Sequence, residues 1–140
     1  MSKNTQELLN ILKNTNSIAS YIQNESTHFS TIPLSEYLEK LLVQKNLKKS
    51  QCIEAANLQR NYGYQIFSGE RIPSRDKVIA LCFAMQLTPE ESHSLLCSAG
   101  YPDLYPKNKR DSILIFGLTK KLSLLETNEL LFEFNENILD

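Results

Sequence analysis

Tryptophan is absent from this chain of 140 residues, and histidine occurs only twice. Four glycines and five prolines are scattered singly, so there is neither a glycine-rich phosphate loop nor a low-complexity tract. Cys52, Cys82 and Cys97 are odd in number, lack C-x-x-C spacing and fall at apolar positions of predicted helices. That pattern points to reduced core thiols rather than disulfides or zinc ligands. His28 and His93 have no neighbouring ligand spacing, and no Ser, Cys or His stands in a nucleophile context, so no metal, cofactor or enzymatic activity is expected. No stretch of about 18 apolar residues occurs, and Met1-Ser2-Lys3-Asn4 leads into a polar amphipathic segment. The reading is a soluble, cytoplasmic protein with no membrane partner and no secretory signal.

What is present is helical periodicity. Apolar residues recur three and four apart along nearly the whole chain, without a convincing run of alternation, which predicts an all-α protein. Residues 5–13 (Leu8, Leu9, Ile11, Leu12) and 17–23 (Ile18, Tyr21, Ile22) predict two short helices, and the polar segment from Asn24 to Thr31 reads as a linker. After Pro33, Leu34, Tyr37, Leu38, Leu41 and Leu42 form one stripe that ends at Lys45-Asn46. Ser50 is a candidate cap for a second helix carrying Cys52, Ile53 and Ala56, broken at Asn57. Residues 59–67 form a third, with Leu58, Tyr62 and Ile66 spaced by four and Gly69 as terminator. Ser74 caps a fourth, with Val78, Leu81, Cys82 and Met85 inward. Thr88-Pro89-Glu90-Glu91 opens a fifth with a capping box, and Gly100 closes it. Two further helices, from about Asn108 to Lys121 and from the Ser123/Glu126 capping box onward, make a helical hairpin. The expected organisation is therefore 1–33, an N-terminal helical extension and linker; 34–100, the main domain; and 101–140, the C-terminal hairpin.

Net charge is only −1, unlike a generic basic nucleic-acid binder, yet the charge is unevenly distributed. Between Lys45 and Lys77, Lys45, Lys48, Lys49, Arg60, Arg71, Arg75 and Lys77 face only Glu54, Glu70 and Asp76, a balance of +4. From Asp111 to Asp140, Lys120 and Lys121 face Asp111, Glu126, Glu129, Glu133, Glu136 and Asp140, a balance of −4. The positive stretch coincides with two short helices separated by a polar break, the pattern of a helix-turn-helix.

The Leu38/Leu41/Leu42 stripe, Ser50-Gln51 at the start of the second helix, and Ile66-Phe67-Ser68-Gly69-Glu70-Arg71-Ile72-Pro73-Ser74 carry a resemblance. Over residues 34–99 the chain resembles the Xre/Cro family of lambda-repressor-like DNA-binding domains, whose signature Ile-x-x-Gly-x-x-x-Pro-Ser that last segment is similar to. Leu81, Leu87 and Thr88-Pro89-Glu90-Glu91 also fit. The resemblance implies five short helices, with the helix-turn-helix at the second and third, flanked here by helical extensions. Two departures stand out: the interval from Gln51 to Gly69 is shorter than usual, and Gly63 lies inside the third helix, a placement that close approach of the second would require.

Outside its apolar stripe the third helix presents Gln59, Arg60, Asn61, Tyr64 and Gln65. These are competent base readers: arginine forks onto guanine, and asparagine or glutamine pairs with adenine. Lys48, Lys49, Ser50 and Gln51 before the turn, with Arg71, Ser74, Arg75 and Lys77 after it, are candidate phosphate contacts, which position without specifying. Lys107, Lys109 and Arg110 form a second basic cluster at a helix start, where the dipole disfavours them. The expected function is a sequence-specific, DNA-binding transcriptional regulator that engages double-stranded DNA. The hairpin is a candidate homodimer surface through Ile113, Phe116, Leu118, Leu130, Leu131, Phe132 and Phe134, unless it packs within the chain. The alternative is a helical adaptor that keeps the helix-turn-helix shape and binds a protein partner instead.

Overall fold

The computed structural model describes residues 5–14, 17–18 and 32–140. The chain divides into two units, Met1–Thr31 and Ile32–Asp140. In the first, α1 (Thr5–Lys13) forms over the residues its spacing predicts; none of its side chains is buried, and Leu9 and Leu12 are exposed. The rest of the expected second N-terminal helix, the 24–31 linker and His28 lie outside the described residues.

The second unit is all-helical among the described residues: α2 (Leu34–Lys45), α3 (Lys49–Ala55), α4 (Arg60–Ser68), α5 (Arg75–Ala84), α6 (Pro89–Ser98), α7 (Lys109–Thr119) and α8 (Leu124–Glu133). Punctuation follows local chemistry. Asn46, Asn57 and Gln86 take positive φ just after helices, a conformation that asparagine tolerates better than most residues. Gly69 at φ +90 and Gly100 at φ +82 close α4 and α6. Both capping boxes form: Thr88 with Glu91, and Ser123 with Glu126.

Two boundaries differ from the sequence reading. Leu47 closes α2 by donating its N–H to the Leu42 carbonyl, which leaves Lys48 extended as the residue before α3. Ser50 therefore sits one position inside α3 and caps nothing. Likewise α4 starts at Arg60, because Gln59 is its N-cap and its side-chain oxygen accepts from the Tyr62 N–H at 2.8 Å.

Helix α5 is the axis of the core. Val78, Ile79, Ala80, Leu81, Cys82 and Phe83 are all buried, so beyond its charged first turn it is apolar on every side, as a helix surrounded by others must be. It packs against α3, α6 and α8, while α2 packs on α4 and α6 and α7 bridges α6 and α8. The hairpin expected as a separate segment thus joins the same buried cluster, through Leu114, Leu118, Leu124, Leu131 and Leu139. Gly117 allows this approach, since a Cβ there would stand 2.7 Å from Thr127 Oγ1 and 2.9 Å from Phe83 Cε1. After α8 the chain folds back, and the Asn128 side chain both accepts from the Leu139 N–H and donates to its carbonyl.

Cysteine placement needs one correction. Cys52 and Cys82 are buried, and burial pushes the Cys82 thiol up to about 12, against the pull of the neighbouring Ser92 hydroxyl. Cys97 is exposed. The buried stripe of α6 and its cap is Ser92, Leu95, Leu96 and partly Ala99, and Cys97 falls off that phase.

Candidate nucleic-acid interface

Helices α3 and α4 meet through a short turn built on Asn57, at φ 56, with the Leu58 N–H donating to the Ile53 carbonyl at 3.1 Å. Gly63 brings the two helices together: a Cβ there would stand 2.8 Å from Ile53 Cγ1, so any side chain at this position would have to displace Ile53. Ile66 and Phe67 point inward and Tyr62 is half-buried, which fixes the rotation of α4 and turns Arg60, Asn61 and Tyr64 outward. The Arg60 guanidinium lies 5.9 Å from the Tyr64 ring centroid, a cation–π contact one helical turn apart. Ser50, Ile53, Glu54, Leu58, Arg60 and Tyr64 line an open hollow of about 380 Å³ between the helices. Its floor is apolar and its rim carries charges of both signs. Arg60 and Asn61 also occupy the first turn of α4, where the helix dipole adds positive potential.

The sequence-predicted residues separate into two groups. Lys48, Ser50, Gln51, Arg60, Asn61 and Arg71 are exposed, and their side chains have no hydrogen-bond or ion-pair partner among the described residues. Gln65 is half-buried on α4, and Gln59 is committed to its cap. The others work inside the fold. Lys49 pairs with Glu39 and lies over the Phe67 ring. The Ser74 hydroxyl caps α5. Lys77 donates to the Asp140 carbonyl and lies 6.0 Å from the Tyr62 ring centroid.

Arg75 is the largest departure from the expected phosphate set. Its guanidinium donates to both oxygens of the buried Asp111, at 3.3 and 3.1 Å, and to the Pro102 and Asp103 carbonyls, at 3.1 Å each. Its donors are spent on holding α7 to α5. Arg110 answers from the other side with a two-pronged bond to Asp76, both arms 2.9 Å, and a bond to the Asn137 carbonyl. The second basic cluster is thus largely internal, as Lys109 Nζ donates to the Phe134 carbonyl at 2.7 Å. These carbonyl and carboxylate partners offset the unfavourable dipole at the α7 start.

Charge at the surface is correspondingly leaner than along the sequence. Of the seven cations between Lys45 and Lys77, Lys45 pairs with Glu91, and Lys49, Arg75 and Lys77 have the partners described above, leaving Lys48, Arg60 and Arg71. Glu54 and Glu70 are exposed in the same region. No cluster of three or more metal-ligating side chains is found among the described residues, nor any helix long and apolar enough to cross a membrane. No family model, curated protein or solved structure matches this chain.

Proposed function

We propose that the protein is a sequence-specific DNA-binding regulator that reads the major groove with the outward face of α4. In this reading α2–α6 form a five-helix lambda-repressor-like domain of the Xre/Cro type, with α3 and α4 as its helix-turn-helix. The observation that carries it is the contrast within one helix: the inward side of α4 is locked by Gly63, Ile66 and Phe67, while Arg60 and Asn61 at its N-terminus have no hydrogen-bond or ion-pair partner in the described fold. Unpaired readers held on a rigid element are what direct readout requires. Arg60 takes guanine and Asn61 adenine; Lys48, Ser50, Gln51 and Arg71 meet phosphates. Glu54, on the rim beside Arg60, repels phosphate and can accept from cytosine N4.

One module of this size gives limited specificity, so a homodimer on paired half-sites completes the proposal. Its surface is the outer side of the hairpin, where Leu125, Phe132 and Ile138 stay exposed around a hollow of about 290 Å³. The adaptor reading retains one observation in its favour: this same exposed apolar surface, set against so few unpaired cations, equally suits a protein partner. Selection of bound duplexes from a random pool separates the two. A two-fold symmetric consensus is the expected result, and a pool that stays random through successive rounds would contradict DNA reading.

A further inference from the structure

The hollow between α3 and α4 divides its chemistry in a way that phosphate contacts do not need. Its floor is apolar, with Ile53 buried and Leu58 half-buried against the core. The Tyr64 ring, 5.9 Å from the Arg60 guanidinium, adds an aromatic wall. Glu54 and Arg60 stand on the rim, both exposed and of opposite charge, yet neither forms an ion pair with the other or with any other described residue.

A phosphate does not suit this hollow, because it would meet an unpaired carboxylate above an apolar surface. A base edge suits it, provided that the edge offers the carboxylate a hydrogen-bond donor and the floor an apolar group. Cytosine supplies the N4 donor alone and leaves the floor uncovered. Thymine supplies a C5 methyl, but its O4 acceptor would face the carboxylate. An adenine–thymine pair holds both a donor and a methyl, with the O4 acceptor between them. In 5-methylcytosine the N4 donor and the C5 methyl sit on neighbouring ring atoms of one edge. Taking α4 as the base-reading helix, we propose that the hollow recognises 5-methylcytosine in duplex DNA. Glu54 accepts from N4, and the C5 methyl packs on the Ile53 and Leu58 floor. Arg60, on the same rim, takes guanine, either the partner of the methylated base or its neighbour. Glu54 and Leu58 are thereby specificity-determining residues.

The test starts from the consensus selected by the full chain out of a random pool. Each of its cytosines is replaced in turn by 5-methylcytosine and, with adenine opposite, by thymine, and affinity is read by competition fluorescence anisotropy. At one position the methylated duplex should bind about fourfold more tightly than the unmethylated one, the worth of one buried methyl-sized group. Thymine there should bind about tenfold more weakly than 5-methylcytosine. Leu58→Ser should bring the methyl preference close to unity, with circular dichroism establishing that the variant is folded. Glu54→Gln, at an exposed position, should keep the methyl preference and lose the thymine penalty, since an amide can donate to O4. Equal affinity for methylated and unmethylated duplexes at every position, with the consensus still bound selectively, would overturn the inference and leave the reading of α4 standing. A thymine penalty that Glu54→Gln leaves unchanged would do the same. No selective binding of any duplex would overturn both.

Discussion

The outward face of α4 and the joint between α5 and α7 both carry arginine, yet they use it in opposite ways. At the joint, Arg75 and Asp76 on α5 exchange partners with Arg110 and Asp111 on α7, so each helix contributes one cation and one anion. On α4, Arg60 has only the Tyr64 ring beside it. A paired arginine held against a buried carboxylate contributes to cohesion, and an unpaired one remains available to a ligand. The difference lies in where the partner sits: Asp111 is on another helix 36 residues away, which no local charge count registers.

The largest effect should come from breaking the joint. Arg75→Ala leaves Asp111 buried without its cation and should cost about 3 kcal/mol of stability, measured by urea unfolding. Its affinity for duplex, corrected for the folded fraction, should stay near wild type. Arg75→Ala with Asp111→Asn should recover part of the loss. Next comes Arg60→Ala, which should remove about 1–3 kcal/mol of preference for a selected site over mixed sequence in a competition assay. Thermal stability should hardly change, because that side chain anchors nothing. Equal destabilisation by the two arginine changes would erase the distinction between the regions.

Gly63→Ala tests the seat of α4. The new methyl group meets Ile53, and the overpacking of about 1–3 kcal/mol is offset in part by the roughly 1 kcal/mol gain in helix propensity. Denaturant melts should show a modest net loss, and Ile53→Ala in the same chain should reduce the penalty of the added methyl. The smallest effect concerns Glu91 on α6. Burial acts to raise its pKa, but the Thr88 capping bond and the Lys45 charge outweigh it and hold the carboxyl below the usual range. A carboxylate depressed in the folded state stabilises above its unfolded pKa and loses that contribution as pH falls through the folded value. Glu91→Gln should therefore lower stability slightly at neutral pH, and the difference from wild type should vanish in strong acid.

The residues that sequence alone made legible are those governed by neighbours within a turn. Thr88 and Ser123 as caps, Gly69 and Gly100 as terminators, Asn57 as the break and Gly63 as a contact point all follow from rules spanning a few positions. The inward stripe of α4 was legible for the same reason. What escaped depends on distant chain. Lys49, Arg75 and Arg110 look like free cations until Glu39, Asp111 and Asp76 are brought to them. The hairpin's apolar residues look unhoused until α5 covers part of them. Cys97 escaped differently. The phase set by Ser92, Leu95 and Leu96 already placed it off the core, and that phase was the available signal.

The central claim, that a small set of unpaired residues around α4 meets DNA, is tested most directly by the salt dependence of binding to duplex. With Lys48 and Arg71 as the unpaired cations that meet phosphate, log affinity should fall against log salt with a slope of about −2 per protomer, and replacing both by alanine should flatten it. No binding at low salt, or a slope that the double replacement leaves unchanged, would contradict the account.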